Sequence, residues 1–385
     1  MRASLSRVYS FTLDDVPLVT RYHSSCPTLF ATGDASASIK FFNHYAEDIR
    51  GEERQIVATS SRTLGLNAMI YSLDWVDNQI LIATSAGRSF LFDSEKLSCV
   101  KSIEGHSCSV KTIRSCVFNR NLAVSGGKDG RVLLFDLRTN SPGTLITEVT
   151  GERITGAEFF GDERMVLVSH TNSDEVNTLD LRVSLAKSSS RRSFVPVASH
   201  ASVMRFGPRS HLLNSLQLIY AQMRQSVRQC DVIRFREIQA KQSFAQPECQ
   251  RKGVCCLRVD QSNIFTALMS HRVLRYDAGE IIFRPPLEFH GFRCGISSQM
   301  SVHPSGKMMT LGGEDSIFVW ALHGGGDISE NPYVTEHAHT MEVNSVDFAN
   351  RSDYLMVSVS DDHSGFVWRF DPGEKTSDEE QSEFL

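Results

Sequence analysis

CVFNRNLAVSGGKDGRVLLFDLR, from Cys116 to Arg138, reads as two β-strands joined by a tight turn. A β-rich run leads into the small residues Ser125-Gly126-Gly127. The turn Lys128-Asp129-Gly130 follows, and a second β-rich run ends in an aromatic and an acid, Phe135-Asp136. Asp-Gly accepts the positive φ angles that a hairpin turn demands, so two paired strands are the direct reading. The same phrase recurs as LFATGDASASIKFFN (Leu29 to Asn43), ILIATSAGRSFLFD (Ile80 to Asp93), MVLVSHTNSDEVNTLDLR (Met165 to Arg182), IFTALMSHRVLRYD (Ile264 to Asp277), MTLGGEDSIFVW (Met309 to Trp320) and LMVSVSDDHSGFVW (Leu355 to Trp368). The chain is built on seven such units.

The large residues that close the units are Phe42, Phe92, Phe135, Leu179, Tyr276, Trp320 and Trp368, spaced by 50, 43, 44, 97, 44 and 48 residues. All but one interval lies near the ~40–45 residues of a WD-type propeller blade, four antiparallel strands each. Further strands are expected upstream, as in VKTIRSCVF (Val110 to Phe118) and VNSVDF (Val343 to Phe348). An all-β, seven-bladed WD-repeat propeller over 1–372 is expected, with eight blades as the alternative reading of the 97-residue interval. Blade-locking hydrogen-bond sets are expected from His106, Asp129 and Phe135, from Asp315 with Trp320, and from Asp362 with Trp368. His337 and His339 are the histidines that stand ahead of the last unit. The long interval holds an expected insertion at about 183–252. Within it LLNSLQLIYAQMRQSVRQC has helical spacing, while VMRF (Val203 to Phe206) and DVIRF (Asp231 to Phe235) have strand character.

Charge divides along the same line. From Val183 to Arg258 thirteen basic residues face three acidic ones, a net of +10; the rest of the chain has 27 basic and 42 acidic residues, a net of −15. The whole-chain value of −5 therefore excludes a basic nucleic-acid binder as a class, but not for this segment. Arg191, Arg192, Arg205, Arg209, Arg224 and Arg228 are the candidate contacts to DNA, RNA or an acidic partner, beside the plainer reading of a solvated basic loop. Residues 373–385 are expected to be a disordered acidic tail. Nine cysteines with no C-x-x-C pair suggest neither a disulfide framework nor a zinc site, so no metal and no cofactor are expected. There is no signal-peptide core and no run near the ~20 apolar residues of a membrane helix, so a soluble intracellular protein is expected, with no membrane partner. No Walker A loop, H-E-x-x-H, G-x-S-x-G or strand-to-helix G-x-G-x-x-G occurs, and no catalytic residue is expected.

Two consecutive units end in Asp-Leu-Arg: Asp136-Leu137-Arg138 and Asp180-Leu181-Arg182. An arginine past the end of the strand projects from the blade, free to bind. Ala123 to Arg138 resembles the Asp-x-Arg box by which WD-repeat proteins dock onto the adaptor of cullin-4 RING ubiquitin ligases, and Leu167 to Arg182 is a looser copy. The order of phrases, GHSCSVK (Gly105 to Lys111) above all, resembles the denticleless-type receptors of that class over roughly residues 25–370. Phe135 and Leu179 stand where those boxes usually carry Trp, and the basic insertion is extra. The resemblance implies a nuclear, non-catalytic substrate receptor. It would dock the adaptor through Asp136, Arg138, Asp180 and Arg182, and present replication-licensing or other chromatin-associated proteins, held on the sliding clamp, for degradation. A WD scaffold in another nuclear assembly, in chromatin or RNA processing, is the alternative.

Overall fold

The computed structural model describes residues 4–44, 54–65, 67–149, 151–181, 204–206, 252–260, 263–277, 287–289, 292–293, 298–322, 332, 334–350 and 354–371. Its named elements are all strands, and they form seven sheets whose innermost strands pack against one another in a closed ring. From axis to rim, blade 1 runs Pro17–Tyr22, Leu29–Asp34, Ser38–Asn43, Ser60–Thr63, and blade 2 runs Ile70–Val76, Gln79–Thr84, Ser89–Asp93, Ser98–Ile103. Blade 3 is Val110–Ser115, Leu122–Gly127, Arg131–Asp136, Thr144–Glu148; blade 4 is Ile154–Phe160, Asp162–His170, Val176–Asp180, Met204–Phe206. Blade 5 is Val254–Asp260, Asn263–Leu268, Arg272–Asp277, Leu287–Phe289; blade 6 is Met300–Val302, Met308–Gly312, Ser316–Ala321, Val334–His337. In blade 7, Val343–Phe348, Leu355–Ser360 and Ser364–Asp371 come from the end of the chain, and the N-terminal strand Ser4–Thr12 lies antiparallel to the last of them. The ring is thus closed by its two ends.

Blades 4 and 5 are direct neighbours. Leu167 and Val176 of blade 4 pack against Val254, Leu257 and Ile264 of blade 5 in one buried cluster, which leaves no room for an eighth blade in the long interval. Met204–Phe206, part of the segment read as insertion, is the outer strand of blade 4, paired with Val176–Thr178. The helical-spaced stretch, and Asp231 to Phe235, lie outside the described residues.

Each of the seven apolar clusters joins two adjacent blades, so the core is a ring of interfaces around the axis. This explains the small-residue step of the repeat. A Cβ on Gly33, Gly126 or Gly312 would come within 2.5, 2.3 and 2.4 Å of Ile70, Ile154 and Val343, the first residues of the next blade's inner strand. The hairpin turn needs its glycine too: Gly130 has φ 77°.

A second regularity lines the axis. The fifth residue of the inner strand is Arg21, Asp74, Arg114, Glu158 and Arg258 in blades 1 to 5, and Asp347 in blade 7. Carboxylates reach forward to the next blade. Asp74 accepts the Ser115 N–H at 2.7 Å, Glu158 that of Val259 at 2.9 Å, and Asp347 that of Tyr22 at 2.8 Å. Two arginines reach back, Arg258 Nη1 to Glu158 at 2.7 Å and Arg21 Nη1 to Asp347 at 2.6 Å, while Arg114 Nε reaches forward to Glu158 at 3.1 Å. Buried ions survive only when paired and hydrogen-bonded, and this ring supplies both.

Candidate functional site

The Asp-x-Arg box of blade 3 is held from both sides. The strand Arg131–Asp136 begins beside the Lys128–Gly130 turn and carries Asp136 to the opposite face, paired there with Leu122. The Leu137 N–H donates to Asn121 O at 2.7 Å, and the Leu137 side chain packs on the cluster between blades 2 and 3. Lys101 of blade 2 donates to Asp136 O at 3.2 Å and also to Thr139 O. Backbone and neighbour together fix the position of Arg138.

Arg138 itself folds over Asp136. Its Nε and Nη2 donate to the two carboxylate oxygens at 3.0 and 2.7 Å, and its backbone N–H donates at 3.0 Å. These bonds hold the exposed Asp136 carboxyl well below the usual range, at about 2. The guanidinium still has 67% of its side-chain surface open to solvent, and a planar, permanently charged fork is suited to directed bonds with a partner. Asp180 occupies the matching place in blade 4, opposite Met165 as Asp136 is opposite Leu122. The two acids therefore sit on one face in adjacent blades. Arg182 lies outside the described residues, as do Arg191, Arg192, Arg209, Arg224 and Arg228; Arg205 lies on the outer strand of blade 4, opposite Asn177.

The locking residues lie at the turn end. In blade 3, His106 Nε2 is 2.7 Å from Ser125 Oγ and Nδ1 is 3.0 Å from Asp129, which also accepts the Ser107 N–H at 2.9 Å. Burial raises the Asp129 pKa, but the His106 bond and charge and these backbone donors outweigh it and hold it at about 2. In blade 7, His339 Nε2 is 2.8 Å from Ser358 Oγ and Nδ1 is 3.1 Å from Asp362, and Trp368 Nε1 donates to the same Ser358 oxygen at 2.8 Å. Burial pushes His339 below its ordinary pKa, in keeping with a neutral ring that accepts from Ser358. In blade 6, Asp315 meets the exposed His337 of the rim strand at 3.3 Å. Of the histidine pair, His339 belongs to the lock of blade 7 and His337 to the edge of blade 6.

Sequence reading did not single out the axial charges. Their signal is one charged residue at the same place in successive apolar strands, visible only once the inner strands are aligned. The adjacent thiols of Cys255 and Cys256 take separate partners, Cys255 donating to Ala267 O at 3.1 Å and Cys256 accepting the Met300 N–H at 3.3 Å. Among the described residues no group of three or more His, Cys, Asp or Glu could hold a metal ion.

Comparison with known proteins points to one family. The model of the WD domain, G-beta repeat, matches residues 97–136 and 330–369, which span most of blades 3 and 7. The chain is 23% identical over 322 residues to denticleless protein homolog A of Xenopus laevis, which covers 82% of this chain and 42% of that protein. The human denticleless protein homolog is 20% identical over 312 residues, 79% of this chain and 40% of that protein. Cell division cycle protein cdt2 of Schizosaccharomyces pombe is 24% identical over 357 residues, 89% of this chain and 66% of that protein. The chain spans about two fifths of the length of the denticleless relatives it matches. With seven blades closed on themselves, two matched repeats and likeness over some four fifths of its length, the chain is a WD-repeat propeller that is similar to the denticleless proteins.

Proposed function

We propose that the chain is a substrate-recognition subunit of a cullin-4 RING E3 ubiquitin ligase, without chemistry of its own. The likeness to denticleless and cdt2 proteins over most of the propeller carries this reading. Asp136 and Arg138, with Asp180 and Arg182 in the next blade, would dock the adaptor. Another face would hold replication-licensing or other proteins bound to chromatin or to the sliding clamp. The basic segment that holds Arg191 and Arg192 would touch nearby DNA, and the nucleus is the compartment this requires. The receptor would act by raising the local concentration of substrate lysines near a loaded conjugating enzyme. The double substitution Arg138→Ala with Arg182→Ala should abolish co-purification of the adaptor and leave the thermal midpoint near wild type. Undiminished capture of the adaptor would refute the docking claim.

One observation favours a WD scaffold in another nuclear assembly. The Asp136–Arg138 fork is closed on itself, so its bonds serve the chain's own loop. A pull-down read by mass spectrometry separates the two, since only the ligase reading makes a cullin-4 and its adaptor the dominant partners.

A further inference from the structure

The axial channel widens into a cavity against the inner strands of blades 2 to 6, with about 30 Å³ open to the centres of water-sized atoms. That suits one or two waters or a single compact polar group. Its walls include three cations, Lys111, Arg114 and Arg258, and no carboxylate. Gln299 Nε2 donates across the axis to Tyr71 O at 3.2 Å and bounds the space on one side.

Lys111 adds a positive charge to the three arginines and three acids of the axial ring. Arg114 Nε and Arg258 Nη1 share a single acceptor, Glu158 Oε1, at 3.1 and 2.7 Å. Arg114 Nη1 is taken up by Ser72 Oγ and by the carbonyls of Leu73 and Ile113, while Nη2 makes no hydrogen bond among the described residues and keeps contact with solvent. Among the described residues Lys111 Nζ makes no hydrogen bond and no ion pair. It lies 4.7 Å from the centre of the Tyr71 ring, with Lys128 Nζ 5.4 Å from the same ring. Glu342, the acid whose charge Lys111 feels, forms no ion pair with it either. Burial first, then the charges of Arg258 and Arg21, push Arg114 down to about 10, whereas the acids Glu158 and Asp347 help hold Arg258 above its ordinary value. Like charges held close together in a partly desolvated cavity repel one another, and an anion supplied from outside would offset that repulsion.

We propose that this cavity binds one compact oxyanion, a carboxylate or phosphate group held by Lys111 and the free edge of Arg114. The inner strand that bears Lys111 starts on the turn face, so the group enters from that side, away from the Asp-x-Arg box. The site is independent of the ligase reading. Two sources fit the chemistry: a free anion, or an acidic side chain that a peptide inserts.

Calorimetric titration of the whole chain with inorganic phosphate, at ionic strength matched with chloride, is the first arm. Acetyl-Gly-Glu-Gly-amide, with its Gln counterpart as control, is the second. Saturable binding of phosphate alone assigns the site to a free anion, and saturable binding of the Glu peptide but not the Gln peptide assigns it to an inserted side chain. Lys111→Met and Lys111→Gln, which break no hydrogen bond, should each weaken binding at least tenfold, while Lys96→Met on the opposite face leaves it unchanged. No saturable binding of either probe to the wild type, or equal affinity in the Lys111 variants, would overturn the proposal.

Discussion

Blades 6 and 7 present the same pair to a reader of the sequence, a turn Asp followed by a closing Trp, and the structure uses them differently. In blade 7 the chain of bonds is complete: Trp368 to Ser358, Ser358 to His339, His339 to Asp362. In blade 6 Trp320 is fully buried, yet its Nε1 and the Thr310 hydroxyl have no hydrogen-bond partner among the described residues. The difference lies in where the histidine comes from. His339 enters from the loop that joins blade 6 to the inner strand of blade 7. The matching connection from blade 5, between Phe289 and Ser298, is described only at Phe292 and Arg293, and His337 reaches Asp315 from the rim strand instead. Among the described residues an Asp and a Trp at the right spacing are joined by a full chain of bonds in blade 7 and not in blade 6. Apolar packing holds blade 6, with Trp320 against Phe289, Phe292 and Phe318.

The largest break in this comparison should come from Ser358→Ala, which strands a buried indole N–H and alters the partner of His339. Two lost bonds, one leaving a buried donor unmet, predict a loss of about 2–4 kcal/mol in urea unfolding. Ser125→Ala in blade 3, where Phe135 offers no donor, should cost about half as much; equal losses would mean that the indole bond adds nothing. Acid should sharpen the contrast next. Asp129 has a folded pKa depressed to about 2 against an ordinary 3.8, so its contribution is full above 3.8 and disappears as pH falls through about 2. Screened by partial exposure, that amounts to about 1–2 kcal/mol. Asp129→Asn should therefore flatten the stability profile over this window, and an unchanged slope would remove the lock from the account. The smallest effect belongs to blade 6. Thr310→Val deletes a hydroxyl that has no partner among the described residues and should shift stability by no more than about 0.5 kcal/mol, in either direction. A loss above about 1 kcal/mol would show that the hydroxyl is bonded in solution.

Much of this was legible because a propeller repeats its grammar. The hairpins were readable from Ser125-Gly126-Gly127, Asp129 and Phe135 because the small step is where the next blade must approach and the turn is where φ must be positive. Asp136 and Arg138 stood out as residues a strand does not require. Other features depend on distance in space that spacing along the chain does not report. His337 and His339 are two residues apart, and only the placement of the inner strand of blade 7 decides between them. Met204–Phe206 looked like part of an insertion because the rim strand of blade 4 follows after a long connection. The cation-lined cavity draws Lys111, Arg114 and Arg258 from two strands in different blades, and no local pattern marks it.

The axial ring also carries an arithmetic of parity. Strict alternation of positive and negative residues can close only around an even number of blades, and this protein has seven. The mismatch falls at blade 6, where Ser301 takes the charged place. Its hydroxyl donates to Asp347 at 2.8 Å and its oxygen accepts the Phe348 N–H at 3.2 Å, so it serves as a neutral acceptor beside an acid without repelling it. The remaining three arginines and three acids then balance. The pattern also acts as a counting device during assembly. A ring that skipped blade 2 would set Arg21 beside Arg114, one that skipped blade 3 would set Asp74 beside Glu158, and one that skipped blade 4 would set Arg114 beside Arg258. Like charges buried side by side oppose each of those miscounts, whereas omission of blade 6 would leave alternation intact. Numbering of the first blades is favoured by charge, and that of the sixth by packing and the hydrogen bonds of Ser301.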